Sequence, residues 1–137
     1  MKKHLILSLI LCAFSSVLFA QENTFQLSSH ILDIMQGNPA ANVKISLEKM
    51  NADQQWILID EKYTDDNGRV KDFLKEEDGK DHHGIYQLCF YTENYFKKLN
   101  QTSFYPFIKV VFEMKDAKHY HVPITVSPYG YSTYRGN

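Results

Sequence analysis

From Phe25 onward the chain alternates apolar and polar residues in run after run, the signature of strands with one buried face. FQLSSHILD (Phe25–Asp33) sets Leu27, Ser29 and Ile31 on one side and Gln26, Ser28, His30 and Leu32 on the other. Gly37, Asn38 and Pro39 then signal a turn. Val43 to Glu48 has the cleanest period of two, with Val43, Ile45 and Leu47 opposite Lys44, Ser46 and Glu48. WILID (Trp56–Asp60) has the content of a third strand. TDDNGR (Thr64–Arg69) contains Asn-Gly, a strong hairpin signal because both residues tolerate positive φ, so a short fourth strand starts at Arg69. Charged, glycine-punctuated Lys75 to Gly84 reads as a surface loop. Ile85 to Thr92 is dense enough in apolar residues to be covered on both faces. ENYFKKLN (Glu93–Asn100) allows two helical turns with Tyr95, Phe96 and Leu99 toward the core. Ile108–Met114 and His119–Val126 supply two more strands, and a short last one runs from Tyr131. The spacing predicts an all-β protein, an antiparallel β-sandwich of about eight strands with one short helix.

The start of the chain breaks this pattern. Met1 to Ala20 begins with two lysines, continues through an apolar run and ends on small residues, which is the layout of a secretory signal peptide. A membrane anchor needs about 20 apolar residues without a cleavage-type end. The expected division is therefore a signal at 1–20 and one domain at 21–137, exported to the periplasm. Removing the signal leaves roughly 117 residues, enough chain to close a single core. Cys12 leaves with the signal, so Cys89 has no internal disulfide partner. Within YQLCFY it reads as a buried apolar residue rather than a nucleophile. A net charge of -1 offers no electrostatic reason to expect nucleic acid or an anionic membrane as partner.

No G-x-S-x-G elbow, phosphate-binding glycine loop or H-E-x-x-H helix is present, so chemistry falls to histidines and arginines on strands. His119 and His121 share one face of their strand while Val122, Ile124 and Val126 face the other way. His30 similarly lies opposite Ile31. Two strands thus present imidazoles away from the sandwich core. Each has a plainer reading as a solvated residue, as do Arg69 at a strand end, His82 and His83 in the charged loop, and Tyr134 and Arg135 in the tail. The H-x-H pair of His119 and His121 could hold zinc, but a catalytic site normally wants a third protein ligand and none stands at a readable spacing, while a metal-binding periplasmic sandwich would draw on His119, His121, His82 and His83 together.

Several motifs together resemble the transthyretin-like family, in particular its 5-hydroxyisourate hydrolase branch. They are LSSHILD (Leu27–Asp33), the Gly-x-Pro-Ala turn (Gly37–Ala40), Asn67–Arg69, FYPFIKVVF (Phe104–Phe112), HYHVP (His119–Pro123) and SPYGYSTYRG (Ser127–Gly136). Thyroid-hormone carriers of the family lack the hydrolase histidines, the arginine and the Tyr-Arg-Gly-Ser ending. Here His30, Arg69, His121, Tyr134, Arg135 and Gly136 occupy matching positions. The chain departs at Asn137, where the hydrolases end in serine, and at Ile124–Val126, where they have leucines.

The resemblance implies a homotetramer, a dimer of dimers, with its site in a channel lined by these outward residues. It implies hydrolysis of 5-hydroxyisourate in urate catabolism, with His30, Arg69 and His121 catalytic and Tyr134, Arg135, Gly136 and Asn137 binding substrate. Neither a metal nor another cofactor is expected. The competing expectation is a non-catalytic periplasmic sandwich that holds a small ligand in the same channel.

Overall fold

The computed structural model describes residues 24–137, and the segment read as an export signal lies outside them. Nine strands and one helix follow in order: β1 Phe25–Asp33, β2 Asn38–Pro39, β3 Lys44–Met50, β4 Trp56–Tyr63, β5 Arg69–Lys75, β6 Gly84–Phe90, α1 Glu93–Lys98, β7 Ile108–Met114, β8 Tyr120–Ser127 and β9 Gly130–Thr133. They form two sheets. In the first, β1 is central, with β5 and β2 on one flank, β8 on the other and β9 outside β8. The second has the order β4-β3-β6-β7. The strand beyond the expected eight is β2, which pairs Asn38 and Pro39 with the end of β1.

The alternation explains the core. Leu27 and Ile31 of the first sheet and Ile45, Leu47 and Leu88 of the second are all fully buried between the layers. Each such side chain contributes about 1.5–3 kcal/mol by leaving water. Helix α1 closes one end by burying Phe96. The hydroxyl of Tyr95 donates to Asp33 Oδ2 at 3.0 Å, tying that helix to the end of β1. Burial and the neighbouring Asp33 carboxylate push the Tyr95 phenol up to about 12.

Four features depart from the local pattern. The strands are antiparallel except β1 and β8, which run parallel from Leu27–Tyr120 to Asp33–Val126. The Asn67-Gly68 turn does not make a hairpin within one sheet, because β4 belongs to the second sheet and β5 to the first. Only Gly68 adopts positive φ there, at 70°, so the turn needs one left-handed residue rather than two. His82 is not an exposed loop residue. It is 7% exposed, with Nε2 donating to the Lys75 carbonyl at 3.0 Å while its own carbonyl accepts the Tyr86 hydroxyl at 2.9 Å. Ser46, on the outward side of its strand by parity, is buried as well. Cys89 is buried as expected, and that burial pushes its thiol up.

Candidate active site

Three adjacent strands build the site. Register sets His30 of β1 against Arg69 of β5 and Ser28 of β1 against His121 of β8. Paired residues project from the same face of a sheet. Ser28 and His30 are two apart and share that face, while Leu27, Ser29 and Ile31 fill the other side. One guanidinium and two imidazoles therefore emerge together on the outer surface of the first sheet.

Strand β5 needs an irregularity to contribute. Arg69 and Phe73 are four apart, so a regular strand would send both to one side. Phe73 is fully buried, yet Arg69 is exposed. Between the Leu27–Phe73 and Ser29–Val70 pairs, β5 carries one residue more than β1. This bulge reverses the parity, so Val70 and Phe73 both face the core and Arg69 turns outward.

The preceding turn fixes where Arg69 starts. Asp65 Oδ1 accepts the backbone N–H groups of Asn67 and of Arg69, each at 2.9 Å. The Gly68 carbonyl accepts the Ile31 N–H at 2.9 Å, which stitches the turn to β1. A Cβ at position 68 would stand 2.6 Å from the Ile31 oxygen, so glycine is required by space as well as by φ.

Burial and neighbouring positive charge both disfavour the protonated form of the two imidazoles. Burial lowers the His121 pKa first, and the Arg69, His30 and His119 charges lower it further. His30 is lowered by burial and then by Arg69, against opposing contributions from the Asn67 backbone and Asp65. Arg69 forms no salt bridge among the described residues. An unpaired cation beside two neutral bases can supply a proton acceptor and stabilise a developing oxyanion.

The tail completes one wall. Gly136 N–H donates to the His121 carbonyl at 2.8 Å, and the two residues form an isolated antiparallel bridge. A Cβ on Gly136 would lie 2.5 Å from His121 Cδ2, so the imidazole occupies the space that any other side chain would need.

The family described as HIUase/Transthyretin matches residues 27–136. The chain belongs to this family. Among its relatives, a probable 5-hydroxyisourate hydrolase of Caenorhabditis elegans is 45% identical over 119 residues, covering 83% of each chain. The solved 5-hydroxyisourate hydrolase of Klebsiella pneumoniae is 31% identical, with a TM-score of 0.67 over 81% of this chain and 98% of that one. Sea bream transthyretin in complex with thyroxine gives 27% identity and a TM-score of 0.74, over 81% and 94% of the two chains. HIUase/Transthyretin members with either name thus share the backbone, and only side chains can separate them.

Of the residues singled out from sequence, His30, Arg69, His121 and Gly136 come together. Tyr134 and Arg135 are placed elsewhere. They line a cavity of about 240 Å³ at the open edge of the sandwich, together with Val110, Phe112, Tyr120 and Val122. The Arg135 guanidinium sits 4.5 Å from the Tyr120 ring centre. Tyr120 and His121 alternate along β8, so Arg135 stacks on the side of the strand away from the imidazole. Asn137 is exposed beyond the bridge. Among the described residues no three His, Cys, Asp or Glu side chains converge as a metal would require. The zinc alternative also loses His82, whose Nε2 is occupied by the Lys75 carbonyl.

Two residues were missed. Ser28 reaches both His119 and His121, and His119, read from sequence as solvated, is joined to it. The signal for Ser28 lay in the S-x-H spacing of β1, but its value depends on β8 lying alongside in parallel register.

Proposed function

We propose that this chain hydrolyses 5-hydroxyisourate to 2-oxo-4-hydroxy-4-carboxy-5-ureidoimidazoline, a step of urate catabolism. The observation that carries it is the gathering of His30, Arg69 and His121 on one face, with the tail glycine against the His121 ring. The named relatives supply the substrate class. An imidazole accepts a proton from water, and the water oxygen bonds to the lactam carbonyl carbon of the six-membered ring. Arg69 faces the oxyanion that develops there. The carbon–nitrogen bond then breaks, the nitrogen takes a proton from the imidazole pair, and a carboxylate remains. This balance needs neither a metal nor an organic cofactor.

The site belongs to an exported homotetramer, a dimer of dimers in the periplasm, in which another subunit covers the open face. The signal-like leader supports export. Exposed Val111, Tyr131 and Tyr134 along the β7 and β9 edge support burial against another copy. Asn137, next to the Gly136 bridge to His121, contacts substrate in that assembly, while Tyr134 and Arg135 hold the tail from the edge cavity.

The test is the decay of freshly prepared 5-hydroxyisourate followed by ultraviolet absorbance. Wild type accelerates the decay, chelator leaves the rate unchanged, and His121→Ala removes the acceleration. A wild type no faster than buffer would overturn the reading and favour a non-catalytic ligand binder.

A further inference from the structure

Ser28 hydrogen-bonds two histidines at once: its Oγ lies 2.8 Å from His119 Nε2 and 2.8 Å from His121 Nδ1. At the far end, His119 Nδ1 lies 2.9 Å from the Phe25 carbonyl oxygen. Donor and acceptor roles along this chain can be derived from its fixed end. A carbonyl oxygen only accepts, so His119 Nδ1 carries a proton. A neutral His119 then has a bare Nε2, which must accept the Ser28 O–H. A hydroxyl has one proton, and Ser28 has given it to His119. The remaining contact therefore runs the other way, with His121 Nδ1–H donating to Ser28 Oγ. The second nitrogen of His121, Nε2, is left with its lone pair, and it has no hydrogen-bond partner among the described residues.

We infer that Ser28 and His119 are positioning residues that fix His121 in the Nδ1–H tautomer and so make its Nε2 the proton acceptor of the site. The inference rests on the hydrolase reading and sharpens it, because geometry in the active face alone leaves His30 and His121 interchangeable. Of these two, among the described residues, only His121 is tied to another side chain, whereas His30 meets the backbone of Asn67. No side-chain hydrogen bond to Ser28 or to either of these histidines involves His30. The donor set is also built rather than incidental: Ser28 reaches His121 through the parallel β1–β8 register, directly opposite it. His119, two residues before His121, lies on the same face and closes the chain back to β1 at Phe25. A second-partner hydrogen bond of this kind decides which ring nitrogen is available for chemistry.

Nitrogen-15 NMR of the imidazoles tests this without relying on turnover. In wild type at neutral to slightly alkaline pH, His121 shows a protonated Nδ1 and a bare Nε2. The opposite pattern overturns the inference whatever the activity. In Ser28→Ala, His121 becomes a mixture of tautomers and kcat falls roughly 10- to 100-fold with KM little changed. His119→Ala gives a smaller loss in the same direction. His119→Gln restores most of it, because its carboxamide oxygen can still accept from Ser28. An unaltered His121 tautomer in Ser28→Ala sinks the inference while leaving the hydrolase reading intact. Inactivity of wild type would instead sink the hydrolase reading and leave the tautomer measurement valid.

Discussion

The outer faces of the two sheets use their charged side chains in opposite ways. On the second sheet the charges are matched. Lys44 pairs with Glu61 across β3 and β4 at 3.3 Å, Glu48 accepts from Gln87 across β3 and β6, and Glu113 of β7 pairs with Lys115 just beyond it at 3.2 Å. On the first sheet His30, Arg69, His119 and His121 are gathered as potential cations, and the closest carboxylate, Asp65, already accepts two backbone N–H groups of its turn. Matched pairs at a surface contribute little and could be exchanged for many alternatives. A cluster of like charge lowers imidazole basicity and gains the fold nothing, which marks the face as chemical rather than structural.

The sharpest way to break the contrast is to make the first face resemble the second. Arg69→Glu removes the cation and sets a carboxylate opposite His30. Turnover should fall by about 10²–10⁴, the range associated with losing a group that acts on the transition state, while the melting temperature barely moves. An assay of substrate decay beside a thermal melt separates the two quantities.

Gly136→Ala should come next. The added methyl would stand 2.5 Å from His121 Cδ2, so either the ring or the tail must move. Turnover should fall roughly tenfold or more, given how steeply catalysis depends on placement, and a crystal structure of the variant would report which one yields.

A smaller, graded effect follows from pH. Both His30 and His121 have lowered folded-state pKa values, for which burial is the first cause and Arg69 the next. The groups facing them are Arg69 from β5, Asp65 from the turn and His119 from β8. The acid limb of kcat/KM should therefore lie below the ordinary imidazole value of about 6.5. Stability has a defined sign as well. The unfolded chain binds more protons than the folded one between the lowered values and about 6.5, so stability rises with pH through that window and is least below it. Arg69→Leu should move the acid limb upward, and a limb that stays in place would remove Arg69 as a cause.

The smallest effect belongs to the second sheet. Lys44→Met should change stability by less than about 1 kcal/mol and leave turnover unchanged. A large loss of activity from that face would erase the contrast between the sheets.

What sequence made legible was whatever depends on near neighbours. The bounds of β1 and β7 coincide with the expected Phe25–Asp33 and Ile108–Met114, since alternation along nine or seven residues is a local property. The same parity placed His30 and His121 outside the core. Residues that depend on a distant partner were read less well. Arg69 points outward because of a bulge, and nothing in RVKDF announces an extra residue there. The Asn-Gly turn was recognised, but whether its strands stay in one sheet is decided by β1 drawing β5 to itself. His82 is buried by the Lys75 carbonyl and Tyr86, contacts that its charged surroundings hide. Ser28 was invisible as a functional residue for the same reason as the parallel pairing of β1 with β8.

That pairing has a consequence for how the protein comes to life. Ser28 and His121 are 93 positions apart, yet they meet side by side. Bringing such distant segments together costs loop entropy early and returns contacts late, which slows folding. A nascent chain emerging from the ribosome carries β1 exposed along one edge until β8 has been made, and during that interval no reactive imidazole pair exists. Recovery of turnover in a refolding experiment should therefore lag behind recovery of β-sheet signal, with enzymatic competence arriving as the last event of folding.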